Sequence, residues 1–250
     1  MYKIHTETLF VGKEIIFLPV CHSTNDVLSD KVKSGSAFEG TVVITSHQTA
    51  GKGQMGNKWE AEPGQNLTFS VLFRPSFLPI QKQFFLAVFT SLALADVLDQ
   101  YISDVSIKWP NDIYIQDKKI GGILIENSMK GEVIDYSISG IGLNVNQKKF
   151  EEKKAVSLAM VTHAPVDLEK VLAHILEALE HYYLLLKVGK YDLLKTAYLH
   201  RLYRYQEYHL FEINQQRVKG MIVGVNEEGK LAVDVSGKVY YFGMKEIKFL

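Results

Sequence analysis

The stretch that decides the fold is Lys108-Trp109-Pro110-Asn111-Asp112-Ile113-Tyr114-Ile115-Gln116-Asp117-Lys118-Lys119-Ile120-Gly121-Gly122. Isoleucines alternate with polar residues on both sides of residues 116–118, which predicts two strands joined by a polar turn. Lys119 opens the second strand, and the glycine pair after it lets a ligand approach the backbone closely. This combination favours a functional hairpin, although a turn with Asp and Lys is by itself typical of a solvated surface.

Composition and charge describe an ordinary globular chain. The 250 residues are 47% hydrophobic and 22% charged, and 28 basic residues balance 28 acidic ones. This is enough material for one or two domains, and there is no global electrostatic attraction to nucleic acid or membrane. No apolar run reaches the roughly 18 residues that span a bilayer, and residues 1–7 lack the features of a signal peptide. We therefore expect a cytoplasmic protein without nucleic-acid or membrane partners.

Cys21 is the single cysteine, so no intrachain disulfide is possible and a reducing compartment fits. Because His22 follows it, a Cys–His nucleophile pair has to be considered. Cys21 ends an apolar run, however, and a lone cysteine there is more often a small hydrophobic residue. The eight histidines are scattered without metal-ligand spacing, so we predict no protein metal site.

Periodicity and breakers divide the rest of the chain into elements. Strands are predicted over residues 14–20, 41–45, 67–73 and 133–143, and helices from residue 23 to 35 and over residues 83–101, 167–187 and 192–202. From Glu207 the pattern changes to short strands with turns at residues 214–215, 226–229 and 236–237. We predict a small β-barrel there, of about 45 residues, packed on the main domain.

Residues 48–66, here called the glycine loop, have no hydrophobic periodicity, and a loop of this length is usually functional or mobile. Gly51-Lys52-Gly53-Gln54-Met55-Gly56 matches G-x-G-x-x-G. A dinucleotide site is excluded because the motif does not open a helix. A Walker A loop is excluded because the loop contains no Gly-Lys followed by serine or threonine. We predict that backbone N–H groups of the loop, with Lys52 and Lys58, hold an anion, against the alternative of a plain solvent loop.

Seven segments resemble, in order, those of biotin protein ligases. They are Ser23-Thr24-Asn25, Gln48-Thr49-Ala50-Gly51-Lys52-Gly53, Trp59, Gly64-Gln65-Asn66-Leu67, Lys108-Trp109-Pro110-Asn111-Asp112, Lys119-Ile120-Gly121-Gly122-Ile123-Leu124-Ile125-Glu126 and Gly140-Ile141-Gly142-Leu143-Asn144-Val145-Asn146. The resemblance covers nearly the whole chain. Each segment alone is weak evidence, but the glycine loop and residues 108–112 occurring together are highly specific.

The resemblance implies an α+β fold in two domains. Residues 1–205 would form a mixed sheet with flanking helices, like the class II aminoacyl-tRNA synthetase core, and residues 206–250 an SH3-like β-barrel. The implied ligands are biotin, ATP and Mg²⁺, with Mg²⁺ held mainly by the phosphates. The implied reaction joins biotin to AMP with release of pyrophosphate and then transfers biotin to a lysine of a biotin carboxyl carrier protein.

The resemblance also implies the site residues. Those for biotin are Ser23, Thr24, Asn25, Gln48, Gly51, Lys52, Gly53, Lys119, Gly121 and Gly122. Those for ATP are Gly51, Lys52, Gly53, Gln54, Trp59, Asn111, Lys119 and Asn144. The catalytic residues would be Lys119 as the cation for the charged phosphorus centre, with Asp112 and Lys52 in roles that the sequence does not separate. Ser23 and Thr24 have the alternative role of a helix cap, and Trp59 that of a core anchor.

Two departures from the family pattern lead to further expectations. Many members carry arginines where this chain has Lys52 and Gln54, so a bidentate donor and a cation are lost, and we expect leakier release of biotinyl-AMP. Bifunctional members carry a DNA-binding domain before the catalytic domain. Here the first catalytic strand is predicted near Glu14, so we expect the monofunctional type without operator binding.

Three other readings compete. A lipoate or octanoate ligase shares the catalytic fold but lacks residues 108–112 followed by Lys119 and the glycine pair in this form. A non-catalytic biotin sensor is disfavoured by the presence of Lys119 and Asp112. A nucleic-acid binder is disfavoured because acidic residues offset the lysines of the C-terminal segment. A homodimer remains possible.

Overall fold

The computed structural model describes residue 4 and residues 6–250. Residues 1–3 and 5, part of the segment predicted to lack a targeting signal, lie outside this range. The elements are β1 (Ile15–Cys21), α1 (Thr24–Lys33), β2 (Val42–Gln48), β3 (Leu67–Phe73), α2 (Phe85–Leu98), β4 (Val105–Lys108), β5 (Asp112–Ile115), β6 (Lys118–Lys130), β7 (Val133–Leu143), α3 (Leu158–Thr162), α4 (Leu168–Lys187), α5 (Tyr191–His200), β8 (Tyr208–Ile213), β9 (Gln216–Val225), β10 (Leu231–Val235), β11 (Lys238–Phe242) and β12 (Lys248–Phe249).

The first sheet has seven strands in the order β1-β2-β3-β7-β6-β5-β4. Only β1 and β2 pair in parallel, and the remaining neighbours are antiparallel, so the sheet is mixed as predicted. β3 is buried along its whole length and lies inside the sheet, between β2 and β7.

The two faces of this sheet carry cores of different size. On one face α2 and α4 cover most of the apolar side chains of the protein. On the other face α1 covers a small cluster formed by Leu28, Ala37, Val43, Leu72 and Ile138. The small cluster leaves the rest of that face open, and this is where the functional site lies.

The expectation that no segment is long and apolar enough to span a bilayer is wrong at helix α2. The helical segment Ile80–Leu98 is long and apolar enough to cross a membrane by length and hydropathy, contrary to the expectation that no such segment exists. Twelve of its residues are buried within α2, all round the helix, because the sheet, α4 and α5 surround it. The apolar composition of α2 is therefore used in the core.

The predicted hairpin is formed by β5 and β6, with Gln116 at a φ of 52° in the turn. β4, which precedes it, was not predicted, because four residues with two buried side chains give too short a pattern. Helix α3 was missed for the same reason, since it has five residues.

The C-terminal strands form a separate five-stranded antiparallel sheet in the order β11-β10-β9-β8-β12. Its turns coincide with the predicted ones, and Asn214, Gln215, Ser236 and Gly237 all have positive φ. This antiparallel sheet fits the small C-terminal β-domain that was predicted. The indole N–H of Trp109 donates to the carbonyl of Gly229 at 2.8 Å, which fixes this sheet to the β4–β5 corner.

Candidate functional site

A cavity of about 150 Å³ lies on the open face of the first sheet, between α1, the glycine loop and the β5–β6 hairpin. Most of the residues predicted from the sequence line it. They are Ser23, Thr24, Asn25, Gln48, Lys52, Gly53, Gln54, Trp59, Asp112, Lys119 and Gly122.

Three glycines of adjacent strands form the floor of the cavity. Gly122 of β6 pairs with Gly142 of β7, and Gly140 lies two residues from Gly142 on the same face. A Cβ atom on Gly140 would lie 2.3 Å from Asn25 Oδ1, and one on Gly142 would lie 2.3 Å from the Trp59 indole. Each of these glycines therefore makes room for one side chain of the site.

The amino end of α1 carries a chain of polar side chains over this floor. The backbone N–H and the hydroxyl of Thr24 donate to Gln48 Oε1 at 2.8 and 3.2 Å. Ser70 Oγ lies 2.7 Å from Thr24 Oγ1 and 2.6 Å from Asn25 Oδ1, and can donate to either. Asn25 Nδ2 donates to Glu126 Oε2 at 2.6 Å. The network holds Thr24 and Asn25 in fixed orientations at the cavity wall.

Ser23 occupies the N-cap position of α1, but its side chain makes no capping hydrogen bond. Its side chain is buried at 3% exposure and lines the cavity. The alternative role of a helix cap is therefore not realised by this hydroxyl, which faces the cavity instead.

The glycine loop is more ordered than predicted. It contains a short hairpin, with Lys52 and Lys58 opposite each other in a β-bridge and a 3₁₀ turn at Gln54–Gly56. The N–H of Gly53 donates to the Asn57 carbonyl at 2.7 Å. The loop thus contains more regular structure than its lack of hydrophobic periodicity indicates, and the N–H of Gly53 closes the hairpin.

Trp59 ends this hairpin and turns its indole into the cavity. The backbone N–H of Trp59 donates to the Gly51 carbonyl at 3.1 Å, and the indole packs on Gly142. The indole Nε1 is buried and has no hydrogen-bond partner among the described residues. A buried donor without a partner is rare in native proteins.

Lys119 and Asp112 form an ion pair across the β5–β6 hairpin. Their Nζ and Oδ1 atoms are 2.7 Å apart, and each side chain is 31% exposed. The pair lies against Gly122, where a Cβ atom would be 3.2 Å from Lys119 Nζ and 3.3 Å from Asp112 Oδ1. Lys119 Nζ is also 5.8 Å from the ring centroid of Trp59. The cation therefore lies between a carboxylate and an aromatic ring at the cavity wall.

Lys52 pairs with Asp26, a residue that the sequence did not single out. Lys52 Nζ lies 2.5 Å from Asp26 Oδ1, and His22 Nε2 lies 3.6 Å from the other carboxylate oxygen. The hydrogen bond to Asp26 raises the pKa of Lys52 above its usual value, so Lys52 is a cation at neutral pH. The glycine loop is thereby tied to the first turn of α1, where a carboxylate is favourable.

Four predicted residues do not line the cavity. Gly51 and Gly121 lie beside it, and Gly121 packs against the Gly142 carbonyl. Asn111 and Asn144 are 3% exposed, and their amides donate to the carbonyls of Ile123 and Val156. These asparagines support the strands behind the site.

Several lining residues were missed. Thr68 and the apolar Ile123, Leu124 and Ile141 belong to the cavity wall, and Ser70 supports it from below. Thr68 and Ser70 are the polar positions on one face of an otherwise apolar strand, so a period of two residues could have revealed them.

Cys21 lies at the end of β1, outside the cavity lining. Burial raises the pKa of its thiol, and the negative charge of Asp26 acts in the same direction. This is opposite to what a nucleophilic cysteine requires. Among the described residues no group of His, Cys, Asp or Glu side chains could hold a metal ion.

The chain is similar to several known ligases. It is 33% identical over 183 residues to the bifunctional ligase/repressor BirA of Bacillus spizizenii, a match that covers 71% of this chain and 56% of that protein. It is 28% identical over 221 residues to a biotin–acetyl-CoA-carboxylase ligase of Mycobacterium tuberculosis, with 86% of this chain and 81% of that protein covered. The chain thus spans little more than half the length of the first of these relatives.

A solved structure supports the fold. The biotin protein ligase of Aquifex aeolicus in complex with biotin and ATP superposes with a TM-score of 0.79 at 27% identity, covering 94% of this chain and 98% of that one. The sequence profile of the biotin/lipoate A/B protein ligase family matches residues 17–144, just over half of the chain. The chain therefore belongs to the biotin/lipoate A/B protein ligase family.

Proposed function

We propose that this protein is an ATP-dependent biotin protein ligase. It activates biotin to biotinyl-5′-AMP and transfers the biotinyl group to a lysine of a biotin carboxyl carrier protein. The observation that carries the proposal is the Lys119–Asp112 ion pair at the wall of a cavity that is floored by glycines and closed by the Trp59 indole. The relatives and the solved complex reported above support biotin and ATP as its ligands.

Biotin needs an apolar slot with a few fixed polar partners. In the proposal, Ser23, Thr24, Asn25 and Gln48 supply the polar partners at the amino end of α1. Support comes from the hydrogen-bond network that fixes Thr24 and Asn25, and from the Ser23 hydroxyl that faces the cavity. Gly122 lets the ligand lie directly on β6, with Gly51, Gly53 and Gly121 shaping the backbone around it.

ATP would bind beside biotin, under the glycine loop. Trp59 lines the cavity, and an aromatic ring at this position suits an adenine base. Lys52, Gln54 and Lys119 would face the phosphates. Asn111 and Asn144, which do not line the cavity, would act on the nucleotide only through the strands that they support.

Mg²⁺ would enter with the phosphates of ATP. Asp112 supplies the carboxylate of the cavity lining, and no group of three acidic or histidine side chains is present among the described residues. A site of this kind fits Mg²⁺ held by phosphate oxygens and a single carboxylate, where the ion neutralises phosphate charge.

The first step brings together two anions, the biotin carboxylate and the α-phosphate. A carboxylate oxygen attacks the α-phosphorus, the bond from that phosphorus to the bridging oxygen of the β-phosphate breaks, and pyrophosphate leaves. Lys119 and Lys52 offset the repulsion, and Lys119 stabilises the charge on the phosphorus centre. In the second step an amine nitrogen attacks the biotinyl carbonyl carbon, AMP leaves, and Asp112 is placed to assist loss of the amine proton.

We further propose that the chain divides into a catalytic domain, residues 1–205, and a C-terminal domain, residues 206–250. The bridge from Tyr205 to Ile222 and the hydrogen bond from the Gln206 N–H to the Ile222 carbonyl support a boundary at this point, because here the chain begins to pair with β9 of the second sheet. A single cysteine favours the cytoplasm.

The proposal is tested by transfer to an acceptor. The protein is incubated with biotin, ATP, Mg²⁺ and a purified biotin carboxyl carrier domain, and the carrier is weighed by mass spectrometry. We expect the mass of the carrier to rise by one biotinyl group. The mass of a carrier in which that lysine is replaced by arginine should stay unchanged. A carrier that stays unmodified although biotinyl-AMP is formed would contradict the transfer step.

A further inference from the structure

The side-chain amide of Asn25 is held in a single orientation by its partners. Its Nδ2 atom donates to Glu126 Oε2 at 2.6 Å and to the Leu124 carbonyl at 3.4 Å. An ionised carboxylate and a carbonyl only accept, so the N–H₂ end of the amide must face them, and Oδ1 must face Ser70. The side chain is buried, and Gly140 leaves just enough room for it, since a Cβ atom there would lie 2.3 Å from Oδ1. The amide is therefore fixed in direction as well as in position.

This orientation decides where the proton of the Ser70 hydroxyl goes. Ser70 is completely buried, and its Oγ lies 2.6 Å from Asn25 Oδ1 and 2.7 Å from Thr24 Oγ1. The hydroxyl has one proton, and Asn25 Oδ1 cannot donate, so Ser70 donates to Asn25. The other contact is then a hydrogen bond only when the Thr24 hydroxyl donates to Ser70. The proton of Thr24 is thus directed towards β3 and away from the cavity.

The hydroxyl oxygen of Thr24 consequently meets the cavity as an acceptor. Thr24 lines the cavity, and the other acceptor near its hydroxyl, Gln48 Oε1, is farther away at 3.2 Å and already receives the backbone N–H of Thr24. With its proton bound by Ser70, Thr24 Oγ1 keeps free lone pairs. A ligand N–H fits this position, whereas a ligand carbonyl would place two acceptors against each other. The ureido ring of biotin carries two N–H groups.

We propose that Glu126 and Ser70 are positioning residues that make Thr24 an acceptor for a ureido N–H of biotin, an inference that rests on the proposed function. Neither Glu126 nor Ser70 lines the cavity. Both act through a chain of hydrogen bonds in which each bond sets the direction of the next. The chain joins β6, α1 and β3, so the packing of these three elements sets the donor and acceptor pattern that the ligand meets.

The test measures the KM for biotin, from biotin-dependent pyrophosphate release, in variants at two points of the chain. Ser70→Ala removes the group that takes the Thr24 proton. Glu126→Gln replaces an acceptor by an amide that can also donate, so the Asn25 amide can turn over and the chain loses its fixed direction. We expect each variant to raise the KM for biotin by about threefold to tenfold, with the kcat of adenylate formation and the KM for ATP unchanged.

Two matched variants control for the chemical changes themselves. Ser139→Ala removes the hydroxyl of another completely buried serine of the same sheet, one that has no hydrogen-bond partner among the described residues. Glu132→Gln removes an exposed carboxylate from the turn between β6 and β7. Both controls should leave the KM for biotin unchanged. Glu126 is also exposed, so Glu126→Gln still tests the inference should Ser70→Ala fail to fold.

A double-mutant cycle separates this role from a general structural one. Thr24→Val keeps the shape of the Thr24 side chain but removes its hydroxyl. Because Ser70 is proposed to act through that hydroxyl, Ser70→Ala should not raise the KM for biotin further in a protein that already carries Thr24→Val. An equal rise in both backgrounds would mean that Ser70 supports the site in another way, and it would overturn the inference.

Two further results would also overturn it, and they are distinguishable. An active protein in which Ser70→Ala and Glu126→Gln keep the biotin KM of their controls would remove only the role of the hydrogen-bond chain. A protein that forms no biotinyl-AMP from biotin and ATP would overturn the proposed function, and the role of the chain with it.

Discussion

Lys119 Nζ lies 2.7 Å from Asp112 Oδ1, and both groups lie against the bare backbone of Gly122. Asp112 and Gly122 are direct partners in the β5–β6 pairing, so the hairpin itself sets this geometry. A cation and a carboxylate are thus presented together, on strands, at a cavity wall that a ligand can approach closely.

The first prediction concerns Lys119. We expect Lys119→Ala to lower the rate of adenylate formation by about 10²–10³, the effect of removing one group that stabilises transition-state charge. Lys118→Ala is the control, since Lys118 is the preceding residue of β6 and is exposed. Biotin-dependent pyrophosphate release measures the effect. Equal losses of rate in both variants would mean that the effect comes from a disturbance of β6 and not from the loss of the Lys119 cation.

The second prediction concerns Gly142. A methyl group at this position would overlap the Trp59 indole, so Gly142→Ala should displace the indole from the cavity. We expect the KM for ATP to rise much more than the KM for biotin, together with a change in tryptophan fluorescence. Gly243→Ala is the control, because the nearest atom there, at 3.3 Å, is the flexible end of the Glu246 side chain. An unchanged KM for ATP would exclude Trp59 from nucleotide binding.

The third prediction concerns the Asp26–Lys52 pair. Asp26→Asn removes the internal anion that competes with the substrate for Lys52, so we expect tighter binding of biotinyl-AMP in a titration. Weaker binding would mean instead that Asp26 is needed to position Lys52. Stability should change by less than about 1 kcal/mol, because the pair is partly exposed.

The sign of the pH effect for this pair also follows from the pKa. Asp26 raises the pKa of Lys52, so the contribution of the pair to stability is fully present below the ordinary lysine pKa and is lost as pH rises through the raised value. Thermal unfolding of the protein and of Asp26→Asn should therefore differ equally at pH 7 and 8 and converge at strongly alkaline pH.

The fourth prediction concerns Cys21. Burial raises the pKa of the Cys21 thiol, so at pH 8 a smaller fraction of this thiol is ionised than in free cysteine. Because the thiolate is the reactive form, alkylation by iodoacetamide at pH 8 should be slower than for free cysteine. Cys21→Ser should leave adenylate formation unchanged. A loss of adenylate formation in this variant would instead support a Cys–His nucleophile pair at residues 21 and 22.

The sheet and the functional hairpin could be predicted because their signals are local. β3 and β7 were predicted with the observed bounds, since alternating or continuous apolar residues ended by turn residues mark both. The C-terminal turns were predicted for the same reason, because Asn214 and Gly237 tolerate positive φ.

The sequence can mark Thr68, Ser70 and Gly122 as unusual positions, but how the glycine floor and its support come together depends on pairing between distant segments. Thr68 meets Gly142, and Ser70 meets Gly140, only through the register of β3 and β7. Asp26 likewise meets Lys52 only after α1 and the glycine loop are packed. A motif in the sequence shows that such residues are present but not which of them face the same cavity.

The central claim is that this site activates biotin, and one measurement tests it most directly. The purified protein is incubated with ATP, Mg²⁺ and either biotin or lipoate, and pyrophosphate release and the acyl-adenylate are followed, the latter by mass spectrometry. We predict pyrophosphate and biotinyl-AMP with biotin, both lost in Lys119→Ala, and neither with lipoate. Turnover with lipoate alone, or tight biotin binding without any adenylate, would contradict the claim.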